Sequence, residues 1–246
     1  MTYDRPAPPP SRASILRPAA GVLLLVIGVA CRDLPRDPNG TLTRVRGGTV
    51  RVGVFENRPW TTLPTGGGAG GLEGALAAEL ARELGARIEW VRGTESQLLA
   101  ALELHELDLV IGGLTDASPW KQHVAFTTPF YTDTIVVGAP IGARRLRSLD
   151  GETVFFWARD PAVAAYVRKK GGIPRAVPEL SRAPGLVAAP TWQLPSLALG
   201  PAGITLHEQH HVMAAPPGEN AWLMRIEQTI HTRKPAIPEV LRTTRP

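Results

Sequence analysis

The chain contains a single cysteine in 246 residues. One thiol closes no disulfide within the chain and builds no cysteine-only metal site, so packing must hold the fold. Phenylalanine and tyrosine are scarce, at five and three residues, against six tryptophans, so indoles carry most of the aromatic chemistry. No long Lys/Arg run accompanies the formal net charge of +5. A phosphate-binding face needs clustered charge, and scattered arginines supply a solvated surface instead, so no nucleic-acid partner is expected. Collagen-like triplets, heptads and internal repeats are absent, which excludes fibrous, coiled-coil and solenoid architectures. No P-loop, no Gly-x-Ser-x-Gly elbow and no catalytic cysteine is present, and no cofactor is expected. What remains is ordinary globular composition, 43% hydrophobic and 20% charged, in a chain long enough to bury a core.

The amino terminus is of another character. Arg5, Arg12 and Arg17 lie in a Pro-rich stretch, and Ala19–Ala30 is a short apolar run. That run is too short to span a hydrocarbon core about 30 Å thick at about 1.5 Å per residue. A basic region, a short apolar core and small residues at its end describe an export signal. Cys31 stands where the run stops, and the segment resembles a bacterial lipoprotein signal, with Gly28 in place of the usual aliphatic residue. The resemblance implies cleavage after residue 30, acylation of Cys31 and a membrane-anchored protein in the periplasm or at the cell surface. Residues 31–48, without periodicity, are expected to form a tether.

Beyond residue 48 the chain alternates in type. Thr49–Phe55 alternates apolar residues as a strand does. Leu72, Leu76, Leu80 and Leu84 recur every four residues before Gly85, the pattern of an amphipathic helix with a glycine stop. Arg87–Val91 predicts a strand, Glu95–Leu104 a helix and Leu107–Ile111 a third strand. Strand–helix–strand–helix–strand in so short a space predicts a parallel sheet with right-handed crossovers. A second unit follows, with strands at Thr134–Ala139 and Thr153–Trp157. A helix from Pro161 to Lys170 has Asp160 as its expected cap. Residues 171–201, rich in proline, give no clear pattern. His211–Ala215 predicts a short strand, and Gly218–Thr232 a last helix with Trp222, Leu223, Ile226 and Ile230 on one face.

In order and spacing, a set of motifs resembles the amino-acid-binding kind of periplasmic type 2 solute-binding protein, family 3 of the extracellular solute-binding proteins. They are Val52-Gly53-Val54, Pro59-Trp60, Gly71-Leu72-Glu73, Leu84-Gly85, Leu98–Leu102, Leu107-Asp108-Leu109, Gly112-Gly113-Leu114-Thr115 and Phe126-Thr127-Thr128-Pro129-Phe130-Tyr131. The resemblance implies an α/β protein of two lobes joined by two crossover strands. Residues 49–135 with 212–246 would form one lobe and 136–211 the other, with a small-molecule ligand between them. It also implies a monomeric binding protein rather than an enzyme, with an ABC permease as partner. Three positions depart from the family. Trp120 stands where an arginine clamps a ligand carboxylate, Ala75 replaces an acid of the first helix, and no acid near Ala188–Trp192 matches the one that meets an amino group.

The expected ligand-binding residues are Asn57, Arg58, Trp60, Glu73, Gly113, Thr115, Trp120, Lys121, Trp157, Arg159 and Asp160. Trp60, Trp120, Trp157 and Trp192 each follow a strand or lie in a loop, with acids nearby, and together suggest an aromatic pocket for an apolar or cationic solute. Trp90 and Trp222 have periodic apolar neighbours and are expected in the core. Gly112-Gly113-Leu114-Thr115 could offer backbone N–H groups to an anion. Lys121 could replace part of the positive charge missing at Trp120. A cyclohexadienyl-dehydratase-like enzyme on the same fold, or a sensory module, is the alternative to transport. The enzyme would use Glu73 as its acid. His207-Glu208-Gln209-His210-His211 matches the zinc-protease pattern His-Glu-x-x-His, but β-branched and proline neighbours make poor helix context, so the match is read as chance, with a metal site as the lesser alternative.

Overall fold

A computed structural model describes residues 1–2 and 36–243. The export signal, Cys31 and the first residues of the expected tether lie outside the described residues. Among the described residues, no helix is long and apolar enough to cross a membrane.

The chain enters through α1 (Thr41–Val45), β1 (Thr49–Val54), α2 (Gly71–Glu83), β2 (Arg87–Arg92), α3 (Glu95–Glu103) and β3 (Leu109–Ile111). The four-residue leucine spacing places Leu72, Leu76 and Leu80 of α2 in the core, and Gly85 follows the helix at φ +61°. A reciprocal capping box of Thr94 and Gln97 starts α3. β1 pairs in parallel with both β2 and β3, as the strand–helix alternation predicts.

Two short strands complete this first sheet, β4 (Ala125–Phe126) and, from the far end of the chain, β10 (Ala214–Ala215), giving the order β2-β1-β3-β10-β4. Between them the chain builds a second sheet. It contains β5 (Tyr131–Pro140), β6 (Thr153–Trp157), α4 (Ala162–Lys169), β7 (Ile173–Val177), β8 (Leu186–Pro190) and β9 (Leu199–His211). Its order is β7-β6-β8-β5-β9, with β6 parallel to β7 and β8, and β5 antiparallel to β8 and β9. Each sheet has its own apolar core, and the chain passes between them twice, at residues 127–130 and 212–213. The protein is therefore α/β, with the two-sheet, two-connection architecture of a two-lobed binding protein.

α5 (Asn220–Arg233) and α6 (Ile237–Thr243) return to the first sheet. Trp222, Ile226 and Ile230 are buried, and the indole N–H of Trp222 donates to the carbonyl of Asp108 at 2.6 Å. The Asp108 carboxylate in turn accepts from Arg44 on α1 and Arg51 on β1, joining these two elements at one buried group.

Several expectations need correction. The tether expected over residues 31–48 is docked from Asp37 onward. The carboxylate of Asp37 accepts from the N–H groups of Leu42 and Trp222, and that of Glu219 accepts from Asn39 and Thr41. These acids satisfy helix-start amides that would otherwise lack partners. The unpatterned stretch 171–201 contains β7, β8 and the start of β9. The strand expected at His211–Ala215 is the end of a 13-residue strand followed by the two-residue β10. Pro161 occupies the cap position of α4, and the Asp160 carboxylate meets the N–H groups of Ala162 and Val163 from one residue further out.

Candidate functional site

A cavity of about 410 Å3 opens between the two sheets. The first sheet contributes Asn57, Arg58, Pro59, Trp60, Gly113 and Thr115 from the loops that follow β1 and β3. The second contributes Asp133 and Ile135 of β5, and Trp157, Arg159 and Asp160 between β6 and α4. Ala188–Pro190, Trp192 and Gln193 come from the end of β8, and Gln209 and His211 from β9. The cavity thus lies where parallel strands end, the usual ligand position in open α/β sheets.

Local hydrogen bonding fixes the first wall. Asn57 and Thr61 exchange backbone hydrogen bonds, and the Glu73 N–H donates to the carbonyl of Trp60 at 2.9 Å, so the start of α2 clasps the loop. The Asn57 side chain donates to the carbonyl of Gly112 at 2.9 Å. Gly113 adopts φ +71°, and a Cβ there would lie 2.5 Å from the Asn57 amide and 2.7 Å from the Trp60 ring. Only glycine brings this backbone so close to the cavity wall.

Trp60 is 5% exposed and lies flat on the imidazole of His211, with ring centroids 3.7 Å apart. His211 is buried, and neither ring nitrogen has a partner. Burial lowers its pKa to about 4, so the ring is neutral at ordinary pH. Asp133 is also buried and accepts from the Trp192 indole N–H at 3.2 Å. No cationic side chain pairs with it among the described residues. Burial raises its pKa to about 6, the Trp192 and Thr134 N–H groups oppose the shift, and nearby Asp160 adds to it. The two guanidiniums of the cavity are exposed. Arg58 is paired with Glu56, and Arg159 lies 5.1 Å above the Trp157 ring.

Of the residues singled out in sequence, Asn57, Arg58, Trp60, Gly113, Thr115, Trp157, Arg159 and Asp160 line this cavity. Glu73 does not. It lies fully buried behind the glycine turn, where its Oε2 accepts from Thr61 at 2.9 Å, Gly112 N–H at 2.7 Å and Gly113 N–H at 2.8 Å. Two of the amides considered for a ligand anion, those of Gly112 and Gly113, are therefore occupied by an internal carboxylate. Trp120 and Lys121 are also elsewhere, on a 3-10 turn over Pro119–Gln122. The Trp120 ring packs against the cluster of Leu98, Leu102 and Val124 and meets His123 edge-on. Trp222 is core and Trp90 packs against it, as expected.

Sequence reading missed Asp133 and His211 as cavity residues. Asp133 is separated by two residues from Ile135, and strand alternation puts both on the cavity side, but only if β5 is extended back to Tyr131. The His-Glu-x-x-His match falls inside β9. Histidines four residues apart on a strand are separated by about 13 Å and cannot share a metal ion. His207 instead stacks on Tyr166 and His211 on Trp60. Among the described residues, no group of three or more His, Cys, Asp or Glu side chains is placed to hold a metal.

No curated protein matches the chain. Solved structures match widely. An ancestral cationic amino acid solute-binding protein gives a TM-score of 0.62 at 19% identity, covering 83% of this chain and 96% of that one. The L-cystine solute receptor of Neisseria gonorrhoeae, unliganded and open, gives 0.60 at 16% identity, covering 79% and 91%. A mutant of ArgBP from T. maritima gives 0.50 at 21% identity, covering 82% and 96%. At these identities the likeness establishes the fold. The family model of the bacterial extracellular solute-binding proteins, family 3, matches residues 50–235, and the chain belongs to that family.

Proposed function

We propose that the protein is an exported receptor, anchored through a lipid on Cys31, that captures a small solute in the cavity between its sheets and delivers it to an ABC importer. The observation that carries this reading is the cavity itself. Its walls come from both sheets, and among the described residues the chain itself crosses between the sheets at 127–130 and 212–213. A ligand touching both walls favours their approach, and the closed form is what a membrane partner can recognise. The cavity volume falls in the usual range for small-molecule sites, about 300–1,000 Å3. Relatives of the same fold are described as receptors for cationic amino acids, arginine and cystine, so a small nitrogenous solute is the starting class.

The enzyme reading loses its named acid, because Glu73 is sealed behind Gly113 and does not line the cavity. Small-angle scattering with a solute library tests the receptor reading. Compaction on binding, with the solute recovered unchanged, is expected. A bound solute that leaves the particle dimensions unchanged, or is converted, overturns it.

A further inference from the structure

Three features of the cavity interior point the same way. Asp133 places a buried carboxylate on the wall without a protein cation, although buried charges are ordinarily paired. The arginines are exposed, with one committed to Glu56 and the other resting on Trp157. Trp60, Trp157 and Trp192 line the same space, and indole faces attract cations.

We infer that the ligand is a carboxylate-free organic cation bearing N–H donors, held by Asp133 as counter-charge and by the tryptophan faces. The inference rests on the receptor reading and narrows it. It places the decisive acid on β5, next to Trp192, in a region where the end of β8 itself supplies only Ala188, Ala189 and Pro190. It also leaves a ligand carboxylate without a buried partner, since the Gly112 and Gly113 amides are occupied by Glu73.

Binding should depend on pH. Asp133 must be ionised to hold a cation, and its carboxyl titrates near 6. Asp160 raises that value, Tyr131 shares the strand, Arg58 and Arg159 stand at the cavity opening, and His211 stays neutral throughout. Affinity is then full above pH 7 and falls about tenfold by pH 5.

The test is calorimetry on the purified full-length protein with agmatine, arginine, glutamate and glucose as probes. Agmatine should bind at least as tightly as arginine, and glutamate and glucose at least tenfold more weakly. Asp133→Asn should raise the agmatine Kd at least tenfold. If that variant folds poorly, proton release on agmatine binding by the natural protein near pH 6 reads the same coupling. Silence toward agmatine, an arginine Kd more than tenfold below that of agmatine, or agmatine binding unchanged by both Asp133→Asn and pH overturns the assignment. Binding of glutamate or glucose with compaction, and none of agmatine, removes the cation while the receptor stands.

Discussion

Glu73 holds the Gly113 N–H at 2.8 Å from the side of the turn away from the cavity. The same Oε2 takes Gly112 and Thr61, while Oε1 is buried without a partner. One carboxylate thus fixes the loop that presents Gly113 and Thr115 to the cavity, and it takes the Gly112 and Gly113 amides away from a ligand anion. Burial pushes its pKa up to about 7, against the opposing pull of three hydrogen bonds.

That arrangement predicts a pH signature. The folded protein holds the Glu73 proton more tightly than the unfolded chain, so Glu73 makes stability fall as pH rises from about 4.5 to about 7, by up to roughly 3 kcal/mol. Glu73→Gln should fold and flatten this slope in denaturant titrations run across that range. Glu73→Ala leaves the two glycine amides and the Thr61 hydroxyl unpaired and should cost on the order of 3 kcal/mol. A slope unchanged by Glu73→Gln would remove the assignment.

Asp108 has the opposite sign. Burial alone would raise its pKa, but hydrogen bonds from Arg51 and Arg44 bring it below the usual aspartate range. Its contribution is therefore present above ordinary aspartate pKa values and is lost as pH falls through the folded value. Removing a carboxylate beneath two arginines that are partly exposed should cost about 3 kcal/mol in Asp108→Ala, at the low end for a broken buried pair. Chemical denaturation at pH 7 measures it. Asp108→Ala should also loosen α1, read as faster amide exchange over residues 41–45.

The legible part of the fold was the part with strong period. The leucines of α2 and the alternation of β1 have one buried side each, and burial enforces a period that sequence displays. β7 and β8 were not legible, because Pro174 and Pro190 interrupt strands whose place is fixed by pairing with β6 and β5 rather than by local pattern. The site divided in the same way. Trp60 and Trp157 follow recognisable strands and line the cavity. Asp133 was hidden because it precedes the apolar run that marks β5, and Glu73 was misplaced because spacing does not tell which side of a glycine turn an acid approaches.

The lipid anchor is tested apart from the folded unit. Cys31 is the chain's only cysteine, so Cys31→Ser should abolish labelling by a fatty-acid probe and release the protein from membranes. A single acyl chain binds only marginally, so firm retention of the natural protein implies more than one. Labelling that persists in the variant would refute the anchor. The folded unit carries no second thiol, so the readout has no competing site.

Trp120 and Trp157 separate the cavity seen in the structure from the one the family pattern implies. Counting from the glycine turn puts Trp120 where a ligand clamp would stand, yet its ring packs against the apolar cluster that includes Leu98, Leu102 and Val124, beside His123. Trp157 lines the cavity, with its N–H donated to the carbonyl of Pro178 and its face under Arg159. Trp120→Ala should therefore leave agmatine affinity within about twofold of the natural value and lower stability by roughly 1–3 kcal/mol for a half-buried ring. Trp157→Ala should weaken agmatine by about threefold, in line with a partly exposed cation–π contact worth some 0.5–1 kcal/mol. Calorimetry paired with thermal unfolding reads both quantities on each variant. A large loss of affinity in Trp120→Ala, with Trp157→Ala unaffected, would move the ligand out of the cavity described here and toward the 3-10 turn.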